Sequence, residues 1–280
     1  MFTMNCKGRL WVVDKPLVMG IINLTPDSFY EGSRFTGVDT ILEQARKMLD
    51  EGADILDLGA QSTRPGSHRI TAGEELGRLL PAVESILHHF PKAFISIDTY
   101  YGRVARETVH AGASLINDIS GGTMDDEMIG TLSSLRVPYV LTHIQGEPGT
   151  MQKNPAYGNV CGEILDYFIG KLAVLRKAGV SDIIIDPGFG FGKTIRHNFE
   201  ILKNLPVFSI LGLPLLAGLS RKSTVYKTLG VQAAESLNGS TVLHTIALMN
   251  GAQILRVHDV KEAREAIRLF GEYSIAKNAY

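Results

Sequence analysis

The chain has 280 residues, 45% of them hydrophobic, and a formal net charge of −1 at pH 7. That length suits one α/β barrel of about 250 residues, so residues 1–280 read as a single domain, and a charge near zero without a basic block argues against nucleic acid as a partner. Two cysteines, Cys6 and Cys161, lack disulfide or zinc spacing, and no window has the apolar length of a signal peptide or a membrane span, so the expectation is a cytoplasmic protein with no membrane association.

Arg9 to Val13 reads as a short strand closing the bottom of the fold, preceded by a polar lead-in. Leu17 to Asn23 is an apolar run ending in Asn, followed by the loop Leu24-Thr25-Pro26-Asp27-Ser28-Phe29. A helix is expected from about Thr40, with Gly52 stopping it. The strand Ile55 to Gly59 leads into Ala60-Gln61-Ser62-Thr63-Arg64-Pro65-Gly66, and Glu75 to Phe90 carries a helical apolar stripe.

The unit then repeats. Strands are expected at Phe94 to Asp98, Leu115 to Ser120 and Tyr139 to His143, each leading to a helix. Ile183-Ile184-Ile185-Asp186 reads as a strand buried on both faces, and its loop Pro187-Gly188-Phe189-Gly190-Phe191-Gly192-Lys193-Thr194 is rich in glycine. A nucleotide P-loop would place Gly where Pro187 stands, and proline has no N–H for a phosphate cradle. Leu215 to Leu219 is the seventh strand, followed by helical sequence to Gly251, broken near Leu237-Asn238-Gly239. Ile254 to His258 is the eighth, with Asp259 capping a last helix and a polar tail from Ser274.

Eight buried strands alternating with eight helical segments describe an α/β protein of the (β/α)8 TIM barrel class, with a short N-terminal strand extension. The competing doubly wound sheet lacks its Gly-x-Gly-x-x-Gly fingerprint after the first strand. Every one of these strands carries a polar or charged residue at or just after its carboxyl end: Asn23, Asp57, Asp98, Asn117, His143, Asp186, Lys222 and the pair Arg256 and His258. Any one could be a cap or an internal hydrogen bond, but in a barrel all of them converge on the mouth where barrel enzymes work. Asp98, Asn117 and Asp186 suit a neutral heterocycle rich in N–H groups. Arg64, Arg256 and His258, with Asn23 and Asp27, suit a Mg²⁺-bound phosphate. Lys222 could serve either group. A surface ion pair with Asp259 is the alternative for Arg256 and His258.

Met19-Gly20-Ile21-Ile22-Asn23-Leu24-Thr25-Pro26-Asp27-Ser28-Phe29, Ser62-Thr63-Arg64-Pro65-Gly66, Asp186 to Lys193, Ser220-Arg221-Lys222-Ser223 and Arg256-Val257-His258-Asp259-Val260 stand in this order along the chain. In these strings the sequence resembles the dihydropteroate synthases, from one end to the other. The resemblance implies transfer of a pterin methylene from hydroxymethyl-dihydropterin pyrophosphate to para-aminobenzoate, with pyrophosphate released. It assigns pterin to Asp98, Asn117, Asp186 and Lys222, with Asp98, Lys222 and Arg256 as the catalytic residues. Pyrophosphate falls to Asn23, Arg64, Arg256 and His258, and Mg²⁺ to Asn23 and Asp27. Aminobenzoate, for which sulfonamides compete in this family, falls to Phe29, Thr63, Pro65, Phe189, Lys222 and Ser223. A homodimer is implied as well.

The chain departs from the family pattern at three places. Gln61 replaces a usual acid, Thr142 a usual Met before the histidine, and Tyr100-Tyr101 follow Ile97-Asp98-Thr99 where a Lys is common. Two rival functions remain: a corrinoid-linked methyltransferase using methyltetrahydrofolate, which needs no pyrophosphate site, and a non-catalytic pterin-binding paralogue.

Overall fold

The computed structural model describes residues 1–24, 34–61 and 69–276, with the side chains of 34–36 left aside. Strands β1 (Phe2–Cys6) and β2 (Arg9–Val13) form an antiparallel hairpin, so the amino terminus contributes a second strand where the sequence suggested a plain lead-in. Met4, Cys6 and Val13 turn inward from it, and Trp11 stacks on Phe94 with ring centroids 4.2 Å apart.

The barrel strands are β3 (Leu17–Asn23), β4 (Ile55–Gly59), β5 (Phe94–Asp98), β6 (Leu115–Asp118), β7 (Tyr139–Thr142), β8 (Ile183–Asp186), β9 (Leu216–Ala217) and β10 (Ile254–Val257). They form one parallel sheet in the order β8-β7-β6-β5-β4-β3-β10-β9. A bridge from Ile185 to Leu215 joins its two edges, giving a nearly closed (β/α)8 TIM barrel. Strand β9 is two residues long, shorter than the apolar run around it, because only this stretch pairs with β10.

Helices α1 (Arg34–Asp50), α2 (Ala72–His89), α3 (Gly102–His110), α4 (Glu127–Leu135), α5 (Val160–Lys177), α6 (Ile195–Lys203), α7 (Ser223–Leu229), α8 (Leu237–Met249) and α9 (Val260–Ile275) surround it. Helix α2 starts three residues before Glu75 because Thr71 and Glu74 form a reciprocal capping box. The break between α7 and α8 falls before Leu237, at Gly230, whose φ is +69°. Among the described residues no helix is long and apolar enough to cross a membrane.

Strand alternation sorts the side chains into two cores. Ile95 and Ile97 of β5 face outward onto a helix-packed core with Leu79, Val83 and Ile86. Inside the barrel, Leu17, Met19, Ile55, Leu115, Val140, Ile184, Leu216 and Ile254 fill the amino-terminal half and pack against the hairpin. One step further along the same inward faces come Asp57, Ser96, Asn117, Thr142, Asp186 and Arg256. The apolar plug ends there, and a polar layer begins beneath the mouth.

Candidate active site

Register sets each acid beside a neutral polar partner. Asp98 pairs with Asn117 across β5 and β6, and Thr142 with Asp186 across β7 and β8. Arg256 of β10 reaches across the barrel, its Nε 2.6 Å from Asp57 Oδ2 and its second guanidinium nitrogen 2.6 Å from Asp98 Oδ2. The Asn117 side-chain amide donates to the same Asp57 oxygen at 3.1 Å. Burial pushes the Asp98 carboxyl up, and Arg256 pulls against that shift. Burial by itself would lower the Arg256 pKa, but Asp57 and Asp98 hold it above its ordinary value. The alternative of an Arg256–Asp259 pair is thereby excluded: Asp259 instead takes a bidentate pair from Arg221, at 2.8 and 2.7 Å. Its carboxylate therefore makes no cap bond to α9, although it occupies the N-cap position.

The loop after β8 is shaped by three glycines, Gly188, Gly190 and Gly192, with φ of +70°, +82° and +63°. These left-handed positions break the alternation of side chains. As a result the Phe189 ring is wholly buried in the outer core, and the expectation that it borders aminobenzoate is corrected. Phe189 offers the site its carbonyl, to which Lys222 Nζ donates at 2.5 Å. Phe191 supplies the ring, 4.7 Å below the Lys222 ammonium. Asp186 accepts from the Gly188 N–H at 2.7 Å, and burial raises its pKa against the pull of Lys222. Lys222 Nζ and Asp186 Oδ2 stand 3.5 and 3.9 Å from where a side chain on Gly218 would begin, so this glycine leaves the space between them open.

His258 stays at the rim with Ser220 Oγ 3.1 Å from both its backbone N and its Nδ1. Its outer edge meets solvent, yet enclosure by the surrounding protein, then the Arg256 charge, push its pKa down to about 4. Ser223 opens α7 beside Lys222, and Asn23 ends β3 at the exposed rim. Asp27, Phe29, Thr63, Arg64 and Pro65 lie outside the described residues.

Asp57 is fully buried and serves Arg256 and Asn117, so it belongs to the framework of the site. His143 also sits below the mouth: it is 7% exposed and held by Lys193, whose Nζ is 2.9 Å from its Nδ1. Lys193 and Ser220 lie within the sequence motifs, whose spacing gives them no role; the structure gives both a positioning one, toward His143 and His258. Nothing in the sequence pattern revealed Glu75, a wholly buried α2 acid behind Asp98 whose pKa burial pushes up to about 7.

Three buried polar atoms of the upper layer have no partner among the described residues: Asp57 Oδ1, Ser96 Oγ and Thr142 Oγ1. Spare acceptor capacity beside Asp98, Asn117 and Asp186 suits a flat, N–H-rich ligand. Two clefts at the opposite end of the barrel, about 420 and 250 Å³, are lined mainly by apolar residues such as Leu49, Phe90, Leu205 and Met249. That face of a barrel serves stability rather than chemistry.

Fold and mouth together define a barrel that gathers acids, an amide and cations at the carboxyl-terminal ends of its strands, the face where barrel enzymes work. The family model described as pterin binding enzyme matches residues 19–258. A dihydropteroate synthase of Escherichia coli (strain K12) is 43% identical over 265 residues, spanning 94% of this chain and 93% of that protein. The structure of Yersinia pestis dihydropteroate synthase with a sulfonamide drug superposes with a TM-score of 0.91 at 38% identity, covering 99% of this chain and 100% of the other. That of the Xanthomonas albilineans enzyme in complex with 7,8-dihydropteroate gives 0.86 at 32% identity, covering 98% and 99%. The chain belongs to the pterin-binding enzymes and, within them, to the dihydropteroate synthase family of transferases.

Proposed function

We propose that this site condenses hydroxymethyl-dihydropterin pyrophosphate with para-aminobenzoate, giving dihydropteroate and pyrophosphate for folate synthesis. The observation that carries the reading is one polar layer in which Asp98 and Asn117 are register partners and Asp186 lies beside Lys222. Those four groups read the pterin edge. Arg256 and His258, with Arg64 and Asn23, take the pyrophosphate, and Arg256 links the two halves through its pairs with Asp57 and Asp98.

As the methylene–oxygen bond breaks, negative charge grows on the departing pyrophosphate, and Arg256 is placed to neutralise it. The positive charge left on the pterin methylene is favoured by Asp98 and Asp186. The neutral aromatic amine of aminobenzoate then attacks, and the acidic anilinium proton left on the new C–N bond passes to water or to the departing pyrophosphate, so no strong base is required. Phe191, Lys222 and Ser223, with Phe29, Thr63 and Pro65, border that second substrate, and a sulfonamide competes for the same place.

Mg²⁺ fits the donor set. Among the described residues no cluster of acids or histidines could hold a metal by itself. Asn23 offers a hard oxygen at the rim, which together with Asp27 matches an ion held largely by substrate phosphates and water. When bound, Mg²⁺ would neutralise pyrophosphate charge.

Calorimetric titration tests the assignment. Pterin pyrophosphate should bind at least tenfold tighter with Mg²⁺ than without, whereas binding indifferent to Mg²⁺ would favour the methyltransferase or paralogue readings. Leu229 of α7, Val242, Ile246 and Met249 of α8, and Leu269 and Tyr273 of α9 are exposed apolar residues on neighbouring helices. They support a homodimer, expected to show twice the single-chain mass in light scattering. The cytoplasm is the proposed location.

A further inference from the structure

The ladder pairing of β8 with β7 ends at Asp186, so the carbonyls of the glycine-rich loop beyond it need other donors. Four consecutive ones are each met by a side chain. Lys222 Nζ donates to Phe189 at 2.5 Å, the Gln152 amide to Gly190, Lys193 Nζ to Phe191 at 3.0 Å and the Tyr157 hydroxyl to Gly192 at 2.9 Å. Two of these donors, Gln152 and Tyr157, belong to the loop between β7 and α5. The Gln145 side chain closes that loop, donating to the Ala156 carbonyl at 2.9 Å and accepting from the Ala156 N–H at 3.2 Å. The Tyr157 ring meets His197 of α6 edge-on, with centroids 5.0 Å apart. The two loops lie in close contact: a Cβ on Gly192 would stand 2.3 Å from the Gln145 carbonyl oxygen.

We propose that Gln152 and Tyr157 are positioning residues for the aminobenzoate half of the reaction, a brace that holds the Phe191 ring under the Lys222 ammonium. The proposal rests on the reading above, in which Phe191, Lys222 and Ser223 border aminobenzoate. Gly188, Gly190 and Gly192 all stand at positive φ, and a backbone with that much glycine has wide freedom that its own sequence does not restrict. Outside partners must therefore select one conformation. Gln152 fixes the peptide unit that enters Phe191, Lys193 the one that leaves it, and Tyr157 the next. The ring between them is set before substrate arrives, which lowers the cost of ordering the second substrate's pocket on binding. Asp98 and Asn117 stand on strands and are held by Arg256 and Asp57, so the pterin half does not depend on the brace.

The test uses Gln152→Ala, Tyr157→Phe and the double variant of the full-length protein. Gln152 is exposed, and Tyr157→Phe keeps the ring against His197, so the fold is retained. Steady-state kinetics should show KM for aminobenzoate raised about fivefold in each single variant and about tenfold or more in the double, the scale of one and two neutral hydrogen bonds. The kcat should change less than about threefold, because a contact made equally to bound substrate and transition state moves KM alone. Calorimetry should find the affinity for pterin pyrophosphate changed less than about threefold. Hydrogen exchange supplies a readout independent of activity: peptides covering 188–192 should exchange faster in both single variants. Because Gln152 acts through Phe191, Gln152→Ala should add nothing to the KM of Phe191→Ala. Unchanged exchange with unchanged KM overturns the brace, and faster exchange with unchanged KM overturns its positioning role. An undiminished Gln152→Ala effect in the Phe191→Ala background overturns it too, since the route would bypass the ring. Failure of the underlying reading looks different: Phe191→Ala would itself leave KM for aminobenzoate unchanged, and the positioning role would fall with it.

Discussion

One guanidinium, that of Arg256, spans two acids from separate strands, with Asp57 and Asp98 each 2.6 Å away. Asp57 is wholly buried, so the pair persists only because each charge has its partner. Arg256→Ala leaves two carboxylates without their cation and should lower stability by about 3 kcal/mol, the usual scale for breaking a buried pair. Adding Asp57→Asn should restore part of that loss. Urea denaturation of the three proteins checks both statements, and equal midpoints would show that the bridge carries no weight. The same variant should bind free pyrophosphate more weakly, by tenfold or more.

The ammonium of Lys222 should set the alkaline limit of activity. Burial pushes its pKa down to about 8, with Asp186 and Asp98 opposing and Arg256 assisting the shift. As pH rises through that value in the free enzyme the charge on the amine is lost, and with it the donor to the Phe189 carbonyl. The kcat/KM for pterin pyrophosphate should therefore fall above about pH 8. Lys222→Arg keeps its charge at any working pH, so its lower activity should show no such limb. A limb that survives in that variant belongs to another group.

Acid stability should depend on His143. Burial, then the charge of Lys193, lowers its pKa from 6.5 to about 3. The unfolded chain takes a proton below pH 6.5 that the folded ring refuses, so stability is full above that pH and declines as pH falls toward 3. His143→Gln removes this contribution. Chemical denaturation at pH 7 and pH 4 should show a smaller difference between the two pH values for the variant than for the parent, and equal differences would contradict the shift.

Gly188 should tolerate no side chain. Its φ is +70°, and a Cβ there would stand 1.9 Å from the His143 carbonyl oxygen. Gly230 has nearly the same φ, +69°, with nothing within 4 Å. Alanine at Gly230 should cost about 1 kcal/mol, the strain of the left-handed region alone. Alanine at Gly188 adds a backbone clash and should cost about 3 kcal/mol or more. Comparable melting temperatures for the two variants would refute the distinction.

Much of this architecture was legible because period-two alternation and strand-end polarity are local signals. Asp98, Asn117 and Asp186 are the last inward residues of apolar strands, and the barrel closes them into one layer. What escaped was set by geometry that no spacing encodes. The ring of Phe189 turns to the core and that of Phe191 to Lys222 because positive-φ glycines flank them. Arg221, rather than Arg256, claims Asp259 because the loop after β9 brings it there. The strand Phe2–Cys6 was hidden because a two-stranded hairpin carries only Met4 and Cys6 as its inward face. Gln61, Tyr100 and Tyr101 stood out in the sequence as departures, but only the fold shows that they touch one another.

The central claim is that the mouth couples pterin transfer to aminobenzoate. Pyrophosphate release by the purified protein, given pterin pyrophosphate and Mg²⁺ with and without aminobenzoate, tests it most directly. Release that requires aminobenzoate and is matched mole for mole by dihydropteroate is the predicted result. Tight binding of pterin pyrophosphate with neither release nor product would contradict the account.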